Sequence, residues 1–101
     1  MVKNRMRPIH PGEILKEEFL IPLAIPSDAL ASALGLTALK VDAILKEQQD
    51  ISPEVALRLA RYFSTTPEFW LDLQTAYALR TAERELGAVI EEEVQPLTLN
   101  A

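Results

Sequence analysis

Apolar residues recur at three- and four-residue intervals along this chain, and prolines and glycines divide the pattern into short helical stretches. Pro11 opens the first, because a first helical residue has no use for the N–H that proline lacks. Ile14, Leu15 and Phe19 form its apolar side, and Glu13 sits near the favourable end of the helix dipole. Pro22 and Pro26 end it and bracket a loop. Ser27 reads as the N-cap of a second helix over 28–34, and Gly35 supplies the backbone freedom for a sharp turn. Thr37 reads as the N-cap of a third helix reaching about Lys46, followed by the polar loop Glu47-Gln48-Gln49-Asp50. Ser52-Pro53 starts a fourth helix, with Ala56, Leu59, Ala60 and Phe63 on one face. Thr66-Pro67 starts a fifth, with Phe69, Trp70, Leu73, Ala76 and Tyr77 at helical spacing, reaching through Arg80 to Leu86. Beyond Gly87, residues 88–95 read either as more helix or as a short strand. Val89 and Ile90 favour strand, and Glu91, Glu92 and Glu93 oppose it. Pro96 ends that segment, and 97–101 reads as a frayed tail.

The pattern therefore predicts an all-α chain of five helices with a short C-terminal helix or strand extension. It divides into an N-terminal arm (1–10), a helical domain (11–86) and the extension (87–101). Residues 27–46 carry the offsets of a helix-turn-helix. Counting from Ser27, Leu30 is fourth, the small Ala31 fifth, Leu34 eighth, Gly35 ninth, Leu36 tenth, Val41 fifteenth and Ile44 eighteenth. Two helices crossing steeply need a small residue where they touch, glycine at the turn and apolar anchors on both sides. Every such position is filled.

Composition narrows the class. The 101 residues include 3 glycines and no cysteine, so no disulfide framework or thiolate metal site is expected. That fits a cytoplasmic protein. No apolar run is long enough for a membrane span, and the basic N-terminus lacks the apolar stretch of a signal peptide. No Ser/His/Asp set, phosphate-cradling glycine loop or metal cluster appears, so no catalytic residue, cofactor or metal is expected, and nothing supports an enzyme.

The net charge of −5 changes the meaning of the motif. In a helix-turn-helix the second helix enters the major groove with its N-terminal part against base edges. The candidate DNA-facing residues are Ser27, Thr37, Ala38, Leu39, Lys40, Asp42 and Lys46. Base readout favours Arg, Lys, Asn and Gln, and this helix offers no Arg, Asn or Gln. From Ser27 to Asp50, Lys40 and Lys46 stand against Asp28, Asp42, Glu47 and Asp50. The residues alone leave DNA binding open. An acidic surface also suits a basic protein partner, because complementary fields speed encounter.

Other residues have ordinary readings beside sharper ones. His10, the only histidine, reads as a helix cap or a solvated side chain ahead of a partner contact. Trp70 and Tyr77 read as core ahead of stacking platforms. Arg58 and Arg61 either reach phosphates or pair with Glu54 and Glu68. Lys3, Arg5 and Arg7 read as a solvated end ahead of a DNA arm, and Glu91–Glu93 as a solvated run ahead of a contact with a basic protein.

Three runs carry a family resemblance. They are Met6-Arg7-Pro8-Ile9-His10-Pro11-Gly12-Glu13-Ile14-Leu15, Ala56-Leu57-Arg58-Leu59-Ala60-Arg61-Tyr62-Phe63, and Pro67-Glu68-Phe69-Trp70-Leu71-Asp72-Leu73-Gln74 followed by Tyr77. Through them the chain resembles the HigA antitoxins, within the phage-repressor-like helix-turn-helix group, over residues 6–95. The resemblance implies the antitoxin half of a type II toxin–antitoxin pair. Such a protein neutralises a small basic ribonuclease that cuts mRNA under translation. As a homodimer on double-stranded operator DNA, it also represses its own operon. For that dimer the candidate residues are Leu86, Val89, Ile90 and Val94. The chain departs from the family pattern, in which several basic or amide residues lie along the recognition helix and a basic, glycine-containing loop follows: here those positions hold Ala38, Leu39, Asp42, Ala43, Glu47, Gln48, Gln49 and Asp50.

Overall fold

The computed structural model describes residues 7–98, so Lys3 and Arg5 lie outside the described residues. Those residues form five helices and no strand. Helix α1 covers 11–23, α2 Ser27–Leu34, α3 Ala38–Leu45, α4 Pro53–Phe63 and α5 Pro67–Glu93.

Local chemistry explains most boundaries. Thr37 Oγ1 accepts from the Lys40 N–H at 3.1 Å, Ser52 Oγ from Val55 at 3.2 Å and Thr66 Oγ1 from Phe69 at 3.1 Å, each capping the helix as the sequence predicts. Ser27 is the exception. Pro26 is the extended N-cap residue and Ser27 is already helical, while the Asp28 carboxylate accepts from the adjacent Ala29 N–H at 2.8 Å. The Pro26 carbonyl accepts from Leu30, which moves the helix start one residue earlier. At the other end Gly35 takes the left-handed conformation, φ 69°.

Two expectations about helix ends are corrected. α1 does not stop at Pro22, which lies inside its last turn. The stretch Leu15–Leu20 is wound more widely than an α-helix, and the Ile21 N–H reaches the Lys16 carbonyl five residues back. Wider turns relieve the clash that a proline ring makes with the carbonyl four residues earlier. Ala24, left-handed at φ 55°, then closes the helix. The second concerns α5, which is longer than its Leu86 bound and follows the helical one of the two readings beyond Gly87. It passes through Gly87 and ends at Glu93, so 88–93 is helix and the strand reading fails. One glycine costs a helix only about 1 kcal/mol, and among the described residues there is no sheet edge for Val89 and Ile90 to join.

The core sits where all five helices meet. Leu15 and Leu20 of α1, Leu30, Ala31 and Leu34 of α2, and Val41 and Ile44 of α3 are buried with Val55, Ala56 and Leu59 of α4. Trp70 of α5 is fully buried and donates its indole N–H to Thr65 Oγ1 at 2.8 Å. Phe19 packs 4.8 Å from Phe63 and 5.0 Å from Trp70 between ring centroids, locking α1 against α4 and α5. The second half of α5 leaves this body, which stretches the molecule to 58 Å against 27 and 23 Å across. No described helix is long and apolar enough to cross a membrane.

Candidate nucleic-acid interface

The two motif helices are held from behind by three contacts. Ala31 and Leu34 of α2 share the core with Val41 and Ile44 of α3. Arg58 of α4 donates from Nη1 to the Leu34 carbonyl at 2.8 Å, beside the turn at Gly35, and pairs with Glu54 at 2.9 Å. Of the two readings of Arg58, the structure places it in the pair with Glu54. Arg61 is exposed and makes no ion pair among the described residues. The third contact is a close approach of α1. A Cβ on Gly12 would overlap the Ile44 carbonyl oxygen, so only glycine lets α1 lie against the end of α3.

His10 sets the start of α1. It is 1% exposed, and its Nδ1 accepts from the Gly12 N–H at 2.9 Å, as expected of a cap. Its ring meets Tyr77 edge-on at 4.8 Å, and its Nε2 lies 3.9 Å from the Asp50 carboxylate. The histidine thus joins α1, α5 and the loop after α3. In front of it, Arg7 makes a two-pronged pair with Glu13, at 2.8 and 2.7 Å. That pair holds the Arg7 guanidinium pKa above its ordinary value and the Glu13 carboxyl below its own.

The outward side of α3 is accessible. Ala38 and Leu39 are exposed, Leu39 to 81%, while Lys40, Asp42 and Ala43 are half-buried and Lys46 is exposed. The Thr37 hydroxyl is committed to its cap. Neither Lys40 nor Lys46 forms an ion pair among the described residues, so both charges stay free. Ser27 is half-buried in the first turn of α2. The loop after α3 turns at Glu47, left-handed at φ 63°, and the Gln48 N–H returns to the Ala43 carbonyl at 2.8 Å.

Sequence reasoning missed one residue here. Lys16 of α1 lines the same shallow depression as Ser27, Leu45 and Lys46. It belongs to another helix, so spacing within the motif gives no signal for it. Its place follows only from how α1 packs across the start of α2. The remaining candidates lie elsewhere. Leu86, Val89, Ile90 and Val94 are 46 to 63% exposed on the projecting half of α5 and beyond its end. Trp70 is core rather than a stacking platform. No group of three His, Cys, Asp or Glu side chains among the described residues could hold a metal ion.

No family model matches the chain. Individual proteins do. Virulence-associated protein I of Dichelobacter nodosus is 47% identical over 87 residues, covering 86% of this chain and 81% of that protein. Antitoxin HigA-1 of Vibrio cholerae is 43% identical over 79 residues, covering 78% and 74%. Among solved structures, a Pseudomonas aeruginosa antitoxin HigA with the higBA promoter superposes with a TM-score of 0.89 at 50% identity, covering 91% of this chain and all of that one.

Proposed function

This chain belongs to the HigA family of helix-turn-helix antitoxins, and from that membership we propose that it is the antitoxin of a type II pair which represses its own operon. It binds operator DNA through residues 27–46 and neutralises a small, basic, mRNA-cleaving toxin through other surfaces. It works in the cytoplasm, by binding rather than by catalysis.

The observation that carries the DNA reading is the exposed front of α3 beside two lysines that form no ion pair among the described residues. Each candidate then has a role. Ala38 and Leu39 enter the major groove first, where apolar side chains suit the methyl group of thymine. Lys40 and Asp42 flank them, Asp42 suiting a cytosine amine. Lys46, with Lys16 and the first turn of α2 at Ser27, lies where a backbone phosphate passes, since phosphate contacts position a protein while base contacts specify. Thr37 sets the start of α3 rather than reading a base. A homodimer built on Leu86, Val89, Ile90 and Val94 presents two α3 helices to half-sites roughly 34 Å apart.

A second reading has its own support. The motif holds four acidic residues against two lysines from Ser27 to Asp50, which favours a protein-binding module with little DNA affinity. A titration on the chain's own promoter separates the two. The repressor reading expects a retarded complex at about 50 mM salt that weakens steeply by about 200 mM. No complex at the lower salt overturns it. Co-purification of a small basic protein encoded beside the gene tests the antitoxin role, and its absence would leave a stand-alone regulator.

A further inference from the structure

The second half of α5 stands largely exposed: Thr81, Arg84 and Glu85 line a shallow depression with Arg7, Pro8 and Glu47, and from Leu86 to Glu93 the residues are exposed, with Gly87 half-buried. Leu79, Leu86 and Ile90 run along one side of it, each about half exposed at 51, 49 and 49%. Ala76 extends that line one turn toward the domain. Ala76 and Tyr77 are also one side of a cleft of about 360 Å³, whose other side includes Ile9 and Ile14, with Arg7 and Arg80 also in the lining. Past Glu93 the chain leaves the helix. Val94 is extended, at φ −114° and ψ 114°, and Leu97 is 84% exposed.

We propose that this cleft receives Leu97 of a second copy of the chain, brought there by antiparallel pairing of two α5 helices about Leu86. The proposal rests on the dimer reading above and adds its orientation and a second contact. Charge sets the orientation. Glu91, Glu92 and Glu93 close α5. Parallel pairing would lay the two acidic runs side by side. In an antiparallel pair Glu92 lies as far beyond Leu86 as Arg80 lies before it, so each acidic run meets the Arg80 of the other copy. That arginine is available, because its only ion pair among the described residues is a long one to Glu83, at 3.5 Å.

The reach is set by geometry. Glu93 lies as far beyond Leu86 as Leu79 lies before it, so the tail of one copy starts beside Leu79 of the other. Extended chain advances roughly 3.3 Å per residue, so Leu97 stands ~13 Å further on. Helix rises about 1.5 Å per residue, and Ala76 and Leu73 lie within that span. Leu97 cannot reach the cleft of its own chain. About 25 Å of rigid helix separates Ala76 from Glu93, and the tail returns only half of it.

The chain has no cysteine, so introduced thiols report pairing directly. The experiment mixes Ala76→Cys and Leu97→Cys variants under mild oxidation, with Leu86→Cys and Leu79→Cys each tested alone. Covalent pairs from the mixture and from Leu86→Cys are the expected result. A pair from Leu86→Cys but none from the mixture overturns the tail contact and leaves the dimer standing. Self-pairing of Leu79→Cys overturns the antiparallel orientation. Pairing of Ala76→Cys with a cysteine placed at Val2 gives the cleft to the chain's own first residues and also overturns the proposal. No pair from any variant, with elution as a monomer, shows that the dimer reading itself has failed. In parallel, Leu97→Asp should raise the dimer dissociation constant about tenfold or more by denying the cleft its apolar occupant. An unchanged constant overturns the contact.

Discussion

Replacing Gly12 with alanine pushes a methyl group into the carbonyl oxygen of Ile44, and leaves it 3.0 Å from the carbonyl carbon and 3.1 Å from His10 Nδ1. The first obstacle is backbone, so no side-chain rotation relieves it. Either α1 withdraws from the end of α3 or the last turn of α3 shifts. Withdrawal also strains the His10 cap and loosens its ring from Tyr77, because His10 and Gly12 are tied by one hydrogen bond. Overpacking of this kind costs about 1–3 kcal/mol, and loss of a cap about 1 kcal/mol more. In a domain of this size each kcal/mol moves Tm by roughly 4–8 °C. The expected outcome is a Gly12→Ala variant about 10 °C or more less stable, read by circular dichroism melting. Operator affinity should fall as well, because the displaced element is the recognition helix. A melting point within about 2 °C of the parent would refute the argument, since it would mean that α1 and α3 need no such close approach.

Gly87→Ala is the matched opposite. Nothing lies within 4 Å of a Cβ there and the site is mid-helix, so alanine should stabilise by about 0.5–1 kcal/mol in the same melting assay. Lys46→Ala should weaken operator binding at every sequence and reduce the slope of log K against log salt by about one per motif, read by anisotropy across salt concentrations. Glu13→Gln tests the pair with Arg7. The carboxyl is held below its ordinary value of 4.5, so its contribution is present above that value and is lost as pH falls through the lowered one. The parent should therefore lose more stability than Glu13→Gln over that acid range, by a small margin because the pair lies at the surface, with Arg7 exposed and Glu13 half-buried. Parallel pH–stability curves would count against the pairing.

The parts of the fold legible in the sequence are those with local causes. Thr37, Ser52 and Thr66 cap their helices because a hydroxyl beside a helix start finds the N–H three residues on, whatever the rest of the chain does. Leu30, Ala31, Leu34, Val41 and Ile44 are buried as the motif offsets require. Ser27 failed for a local reason of another kind, since the extended backbone of Pro26 already supplies the turn into α2. The length of α5 was not legible because its two signals conflicted. Val89 and Ile90 favoured strand and Glu91–Glu93 opposed it, and the helix continues through Gly87 without a left-handed turn. The apolar Leu86, Val89 and Ile90 read as dimer candidates, and among the described residues they stand about half exposed. Lys16 was invisible because its position beside Lys46 depends on a helix crossing.

These failures bear on how an acidic chain can hold DNA. The front of α3 is apolar at Leu39, and the charge of Lys40 beside it is offset by Asp42, so little net charge on that helix face contributes to the binding free energy. The positive groups not offset in this way stand at its margin, Lys46 at its end and Lys16 on α1. In the proposed operator complex a margin of that kind contacts the phosphate path, which supplies affinity without sequence information. Discrimination is then left to the shape and methyl pattern that Ala38 and Leu39 meet in the groove. A dimer doubles the marginal lysines on one duplex, whereas a monomer presents too few cations to offset Asp28, Asp42, Glu47 and Asp50. Operator binding and α5 pairing are therefore one question, and Leu86→Asp should abolish both while leaving the domain core, which Leu86 does not touch, folded.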